Sequence, residues 1–320
     1  MKKDYYLQAL RGLAIAAVVL IHCLPQSALS VGLRPFLNWA VAMFLFLSGV
    51  LTTEERVRRG GVVKRRLLKI VPPYLLWSLV YLVPSRPATG LDALLAVVTG
   101  NAGGHMYFLF VYAQLVVLTP LLFRLLRTHR AALYAVAPCA LAAWEALALL
   151  GVDAPRIGVL FPVWLVFYLF GLEWDRWRER LCKRRGAVVA AAAVFLAAQA
   201  VEGFAWDAFG DYDMATTQLR LTNMASSLAI VSAAMLAPGA ARELLAGCAP
   251  LTRLGDLSFG VYLSHYAVLM VVQKAASALE LSWLLPFPLL WAVVLALSVA
   301  VVVIGRRLLP QRALHVLGFA

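Results

Sequence analysis

The sequence is short of charge. Only 14% of its 320 residues are Asp, Glu, Lys or Arg, against about a quarter in a soluble domain, which excludes an ordinary water-soluble globule. A charge-rich disordered chain is excluded on the same ground. Acid is scarcer still, with 16 acidic residues against 29 basic ones. Cysteine is limited to Cys23, Cys139, Cys182 and Cys248. None of them forms a close pair or shows metal spacing, so neither a disulfide framework nor a zinc site is expected. The five histidines are scattered and lack HExxH spacing. There is no phosphate-binding glycine loop, no GxSxG elbow and no nucleic-acid motif. The sequence therefore gives no reason to expect a metal, a tightly bound cofactor or a nucleic-acid partner.

Apolar sequence is abundant. Hydrophobic residues make up 63% of the chain and the mean hydropathy is +0.83. A membrane-spanning helix needs about 20 mostly apolar residues, and that length predicts ten spans. They are 6–24, 35–52, 68–83, 105–123, 131–150, 157–174, 186–201, 218–237, 256–275 and 284–304. The first follows Lys2-Lys3 as a signal peptide would, yet it carries Arg11 and no small-x-small cleavage pattern, so it is expected to be retained. The fold class is thus all-α, a polytopic integral membrane protein in which residues 1–320 form one domain. Little sequence is left for a soluble catalytic domain.

The formal charge of +13 is arranged as membrane proteins arrange it. Of the 29 basic residues, 23 fall in alternate connecting segments: Lys2 and Lys3, Arg56 to Lys69, Arg124 to Arg130, Arg176 to Arg185, Arg242 and Arg253, and Arg306 to Arg312. The intervening segments hold five: Arg34, Arg86, Arg156, Arg220 and Lys274. By the positive-inside rule both termini are cytoplasmic, in a multi-pass protein of the cell inner (plasma) membrane with its lipids as partners.

Ionisable groups in a membrane helix cost about 2.5–3.5 kcal/mol each on insertion scales and are candidates for function. Arg11 and His22 in the first span are eleven residues apart. That is about 20° after three full turns and roughly 16 Å along the axis, so they share one face. A ligand entering from the basic side would meet the arginine first and the histidine last; otherwise each side chain snorkels to its own interface. KRRLLKIVPPY, residues 64–74, sets Arg65, Arg66 and Lys69 before Pro72-Pro73, where a regular helix is not expected to continue. The cluster suits phosphates, or anionic lipid headgroups. In the ninth span Ser258, Tyr262 and His265 form one polar stripe. Glu145, in the fifth span, lies at a depth similar to His22, where a carboxylate could orient the imidazole or only tether helices. His105 opens the fourth span beside Tyr107, within an aromatic belt. Segment 202–217 is read as an outward loop, in which Glu202, Asp207, Asp211 and Asp213 alternate with aromatics, as a solvated stretch or a sugar-binding one.

In sequence order these motifs resemble the acyltransferase-3 family of integral-membrane acyltransferases, in the form without an appended esterase-like domain. Arg11 and His22 match its arginine–ten residues–histidine signature, and AVAMFLFLSGVL, residues 40–51, its Phe-rich motif ending in Ser-Gly. KRRLLKIVPPYL is similar to its basic motif, with Lys69 where a second arginine is usual. GHMYFLFVYAQLVVLTPLL resembles the helix of its surface-polysaccharide O-acetyltransferases, with Tyr107 in place of tryptophan. LGDLSFGVYLSHYAVL matches its late Ser-x-Gly-x-Tyr-Leu-x-His motif.

The resemblance implies an acyl-CoA co-substrate, acetyl-CoA above all, entering from the cytoplasm. It implies an acceptor hydroxyl on the opposite side, on a cell-surface glycan or its lipid-linked precursor. Expected roles follow: His22 and Glu145 catalytic, Arg11, Arg65, Arg66 and Lys69 on the donor, and His105, Tyr107, Tyr262 and His265 shaping the acceptor cavity. His22 would act as general base or become acylated itself. A transporter of a small anionic or polar solute would use the same intramembrane charges but favours internal repeats, and none is visible.

Overall fold

In hydrocarbon every backbone N–H and C=O must find its partner within the protein, which leaves the helix as the natural form for such apolar runs. The computed structural model describes residues 3–152 and 156–320, which are helix and connecting turn, without a strand among the described residues. Lys2, counted among the basic residues above, lies outside the described residues.

Ten principal helices answer to the ten predicted segments: α1 Tyr5–Cys23, α2 Trp39–Val50, α3 Val62–Ser85, α4 Tyr107–Thr128, α5 Arg130–Leu149, α6 Leu165–Leu172, α7 Arg185–Ala208, α8 Leu221–Met235, α9 Ala249–Ala278 and α10 Phe287–Leu308. Eight spans among the described residues are long and apolar enough to cross a membrane, α2 qualifying through its lead-in as Ala28–Val50. By length and composition the expected ten thus compare with eight, or nine if the stretch Tyr212–Met235 and the helix Gly239–Gly247, bent from it by 89°, count as one. The short member is α6. Pro162 opens the 3-10 turn Phe161–Trp164 before it, and the twelve residues Phe161–Leu172 reach only about 18 Å even as ideal helix.

Two other expectations need correction. Helix α3 continues through Pro72, Pro73 and Pro84. Prolines at 72 and 73 free the carbonyls of Leu68 and Lys69, at the exposed basic end of the helix, where water or a ligand can take them. The seventh helix is not short but continues to Ala208, so much of the loop expected at 202–217 is helical. The chain turns at Gly210, φ +84°, into the helix Tyr212–Thr216.

Burial sorts the helices. Among the eight spans, α1 and the one that holds α2 are the most enclosed, followed by α9, while α5 and α7 are the least, presenting apolar side chains such as Leu149, Val194 and Val201 outward. α2 reads hydrophobic all round and is buried accordingly. Its Met43, Phe46 and Leu47 join one core, and its Val41, Ala42 and Leu45 a second. Glycine pairs let the central helices touch backbone to backbone. A Cβ on Gly12 would lie 2.2 Å from the Leu251 carbonyl oxygen, and one on Gly255 1.9 Å from that of Gln8. Gly49 and Gly171 make the same crossing between α2 and α6.

Segments grouped by charge are grouped in space. Arg127 pairs with Glu54 at 2.5 Å, Arg130 with Glu173 at 2.8 Å, and Lys3 with Asp256. The Phe319 carbonyl accepts from Arg306. This is the basic face. Arg34 and Arg156 meet in a cavity elsewhere, beside residues 100–105 and 213–219.

Candidate active site

The crossing of α1 and α9 at Gly12 and Gly255 fixes Arg11. Its guanidinium donates to the Ser258 hydroxyl at 3.1 Å. Both residues line a cavity of about 180 Å³ with Ser48, Arg66, Tyr112 and Tyr262, and the Ser48 hydroxyl donates to that of Tyr112 at 2.8 Å. On the basic face this cavity adjoins a mouth of about 250 Å³ lined by Arg56, Arg65, Arg66 and Lys69. Arg66 walls both. One of its terminal nitrogens is buried without a hydrogen-bond partner among the described residues, and the other reaches the Leu51 carbonyl at 3.5 Å. The expected donor residues are thus together, Arg65 and Lys69 exposed and Arg66 leading inward.

Beyond Tyr262, which walls both spaces, lies a larger cavity of about 600 Å³. His22 lines it with Arg34, His105, Tyr107 and Trp164. Three imidazoles meet at its edge. The ring of His22 is centred 5.2 Å from that of His265 and 6.1 Å from that of His105, and the last two rings are 4.9 Å apart. Tyr81 and Tyr266 complete the cluster, Tyr81 at 4.8 Å from His105 and Tyr266 at 5.5 Å from His22.

The backbone of α9 organises this cluster. His265, wholly buried, has Nδ1 at 2.7 Å from the Tyr262 carbonyl oxygen and 3.2 Å from that of Val261. A ring nitrogen so placed carries the hydrogen and donates it, which leaves the Nε2 lone pair free in the neutral ring. That Nε2 is buried and without a partner among the described residues, as are both ring nitrogens of His105. The Tyr262 hydroxyl donates to the His105 carbonyl, tying α9 to the start of α4. The Tyr81 hydroxyl donates to the Leu263 carbonyl at 2.5 Å and accepts from the Ala267 N–H at 3.3 Å. It stands between two groups that an undisturbed helix would pair with each other. His22 itself has no hydrogen-bond partner among the described residues, so its ring is free to face a ligand in the cavity.

Glu145 is not part of this cluster. Its carboxylate accepts from the Leu221 N–H at 2.5 Å, capping α8. That end of α8 carries its own polar group: Arg220, wholly buried, lies 3.8 Å from Glu202, which accepts from the Thr222 hydroxyl. Depth along α5 is a sound guide to how far Glu145 sits from each surface, but not to which neighbour it faces. Glu202 therefore belongs to a helix-capping network and not to a solvated loop, whereas Asp213 is exposed and lines the large cavity. His105 is 2% exposed and interior, not interfacial. Tyr107 stacks on Trp164 with centroids 5.7 Å apart.

Sequence reasoning missed Tyr81, Tyr266 and Arg34 as site residues. Tyr266 was signalled by its place beside His265. Arg34, counted only as a charge between spans, carried no signal of its own. No group of His, Cys, Asp and Glu among the described residues is arranged to hold a metal.

An all-helical bundle with a basic mouth, an inward arginine and a histidine cluster fits a membrane-embedded transferase. The sequence profile of the acyltransferase domain family matches residues 4–307, and the chain belongs to that family. It is a membrane acyltransferase. No curated protein and no solved structure matches it.

Proposed function

We propose that the protein moves an acyl group, most simply acetyl, from cytoplasmic acyl-CoA to a hydroxyl of an extracytoplasmic glycan or its lipid-linked precursor, in the plasma membrane. The observation that carries this reading is the succession of cavities. Arg66 is common to the first and second, and Tyr262 to the second and third, so a series of polar side chains marks a route from the basic mouth past Arg11 to His22.

In this reading the basic face is cytoplasmic. Arg65, Arg66 and Lys69 hold the coenzyme A phosphates, and Arg11 steadies a polar group nearer the thioester. Lys69 contributes a point charge where an arginine would offer a bidentate fork. The acyl carbon reaches the histidine cluster past Tyr262, where the acceptor hydroxyl waits in the large cavity. His22 takes the hydroxyl proton as the alkoxide attacks the thioester carbonyl. The C–S bond breaks, and the thiolate of coenzyme A leaves with a proton returned from His22. His265, with its lone pair turned into the cluster, takes the orienting role expected of Glu145. Acylation of His22 itself is the alternative route, distinguished by ping-pong kinetics.

The test is label transfer by the purified protein in lipid, from labelled acetyl-CoA to envelope glycans. Label should reach a glycan with the wild type and fall at least about 100-fold with His22→Ala or Arg11→Ala. Equal label with all three proteins removes both residues from the mechanism.

A further inference from the structure

The large cavity contains a cation that no carboxylate among the described residues neutralises. Arg34 stands in the 3-10 turn Arg34–Phe36, where Pro35 interrupts the apolar run between the helix Ala28–Leu33 and α2. The side chain is largely buried and its Nε has no hydrogen-bond partner among the described residues. No ion pair among them includes it. His22 and Tyr107 line the same cavity as Arg34. Arg156 lines the same cavity from its exposed rim, and Asp213, also exposed, is the one carboxylate among the described lining residues. Among the described lining residues, two guanidinium groups thus stand against one carboxylate.

A buried guanidinium without a counter-ion is costly, and the cost is recovered when an oxyanion arrives in the plane of its fork. We infer that the acceptor is anionic, and that Arg34 binds a carboxylate or phosphate of the acceptor while another part of the same molecule presents its hydroxyl to His22. This inference rests on the acyl-transfer reading of the site and narrows it: a neutral glycan would leave Arg34 unpaired. The charge has two chemical sources, a uronic acid within the saccharide or the phosphate of a lipid-linked precursor, and both offer the same oxyanion.

Binding decides the matter without turnover. Wild-type protein in lipid nanodiscs is titrated calorimetrically with three ligands: glucose trisaccharide, glucuronate trisaccharide, and glucose linked to a short prenyl diphosphate. At least one charged ligand should bind about tenfold or more tightly than the neutral trisaccharide, as a gained charge-assisted hydrogen bond would allow. Which one does so identifies the source of the oxyanion. Arg34→Gln should abolish the preference and Arg34→Lys should keep a reduced one, so the second variant serves if the first does not fold. Charged and neutral ligands binding alike to the wild type, or a preference unchanged in Arg34→Gln, overturns the inference. A charge preference that depends on Arg34, in a protein that transfers no label from acetyl-CoA, would leave this subsite standing and reject the acyl-transfer reading instead.

Discussion

On the proposed mechanism, removal of His265 should separate chemistry from binding. Its Nδ1 is committed to the Tyr262 carbonyl and its ring is 5.2 Å from that of His22, while the donor groups stand at the far end of the cavity chain. His265→Ala should lower kcat by about 100-fold or more, as loss of a group that shares a catalytic proton does. KM for acyl-CoA should stay within about twofold. Equal losses in both constants would mean that His265 only supports the fold. Glu145 should behave in the opposite way. Since its carboxylate caps α8 through the Leu221 N–H, Glu145→Ala removes a charge-assisted hydrogen bond worth about 1.5–3 kcal/mol. A thermal shift in detergent should show the lower stability, with kcat per folded molecule unchanged. The contrast between these two residues shows what could be read in advance. The shared face of Arg11 and His22 follows from helical spacing alone, and the structure does put both on ligand-accessible walls. Pairing Glu145 with His22 needed the rotation of α5 against α1, which spacing within either helix does not contain.

Among the helices, the crossing of α1 with α9 sets the register of the site. Arg11 is followed by Gly12, and Ser258 lies three residues after Gly255, so the contact that brings the backbones together also brings the guanidinium to the hydroxyl. Gly255→Leu would drive a side chain into the Gln8 carbonyl. Overpacking of this kind costs about 1–3 kcal/mol, and where the obstacle is backbone the upper end is expected. Thermal unfolding in detergent should show a clear drop, together with weakened acyl-CoA binding. Gly239→Leu, at a glycine with open space around it, should do neither. The existence and order of the helices were legible because hydropathy sets them directly. Their lengths were less so. Pro72 and Pro73 did not end α3, because a helix end near the basic mouth can lend its freed carbonyls to other partners. The polar residues after Val201 did not end α7, because Glu202 is matched by Thr222 and Arg220 at the start of α8.

For the molecule as a whole, sidedness gives the cavities their meaning. Basic clusters far apart in sequence meet on one face, which in the proposed orientation is the cytoplasmic one. Cys182 and Cys248 are exposed free thiols in those clusters, and Cys23 is buried. In a Cys139→Ser background, a membrane-impermeant maleimide should leave intact cells unlabelled and react with inverted vesicles; the reverse pattern would turn the bundle over. The sequence offers an orientation through 23 basic residues against five, but it holds no sign of the chain of cavities, which depends on Arg66 and Tyr262 each facing two spaces at once. That chain is put to the test by sealing labelled acetyl-CoA inside liposomes that carry the protein with its basic face inward, and offering the glycan acceptor only outside. Wild-type protein should place label on the outer glycan while coenzyme A stays in the lumen, and His22→Ala should not. Label appearing only when donor and acceptor share a compartment would contradict the account.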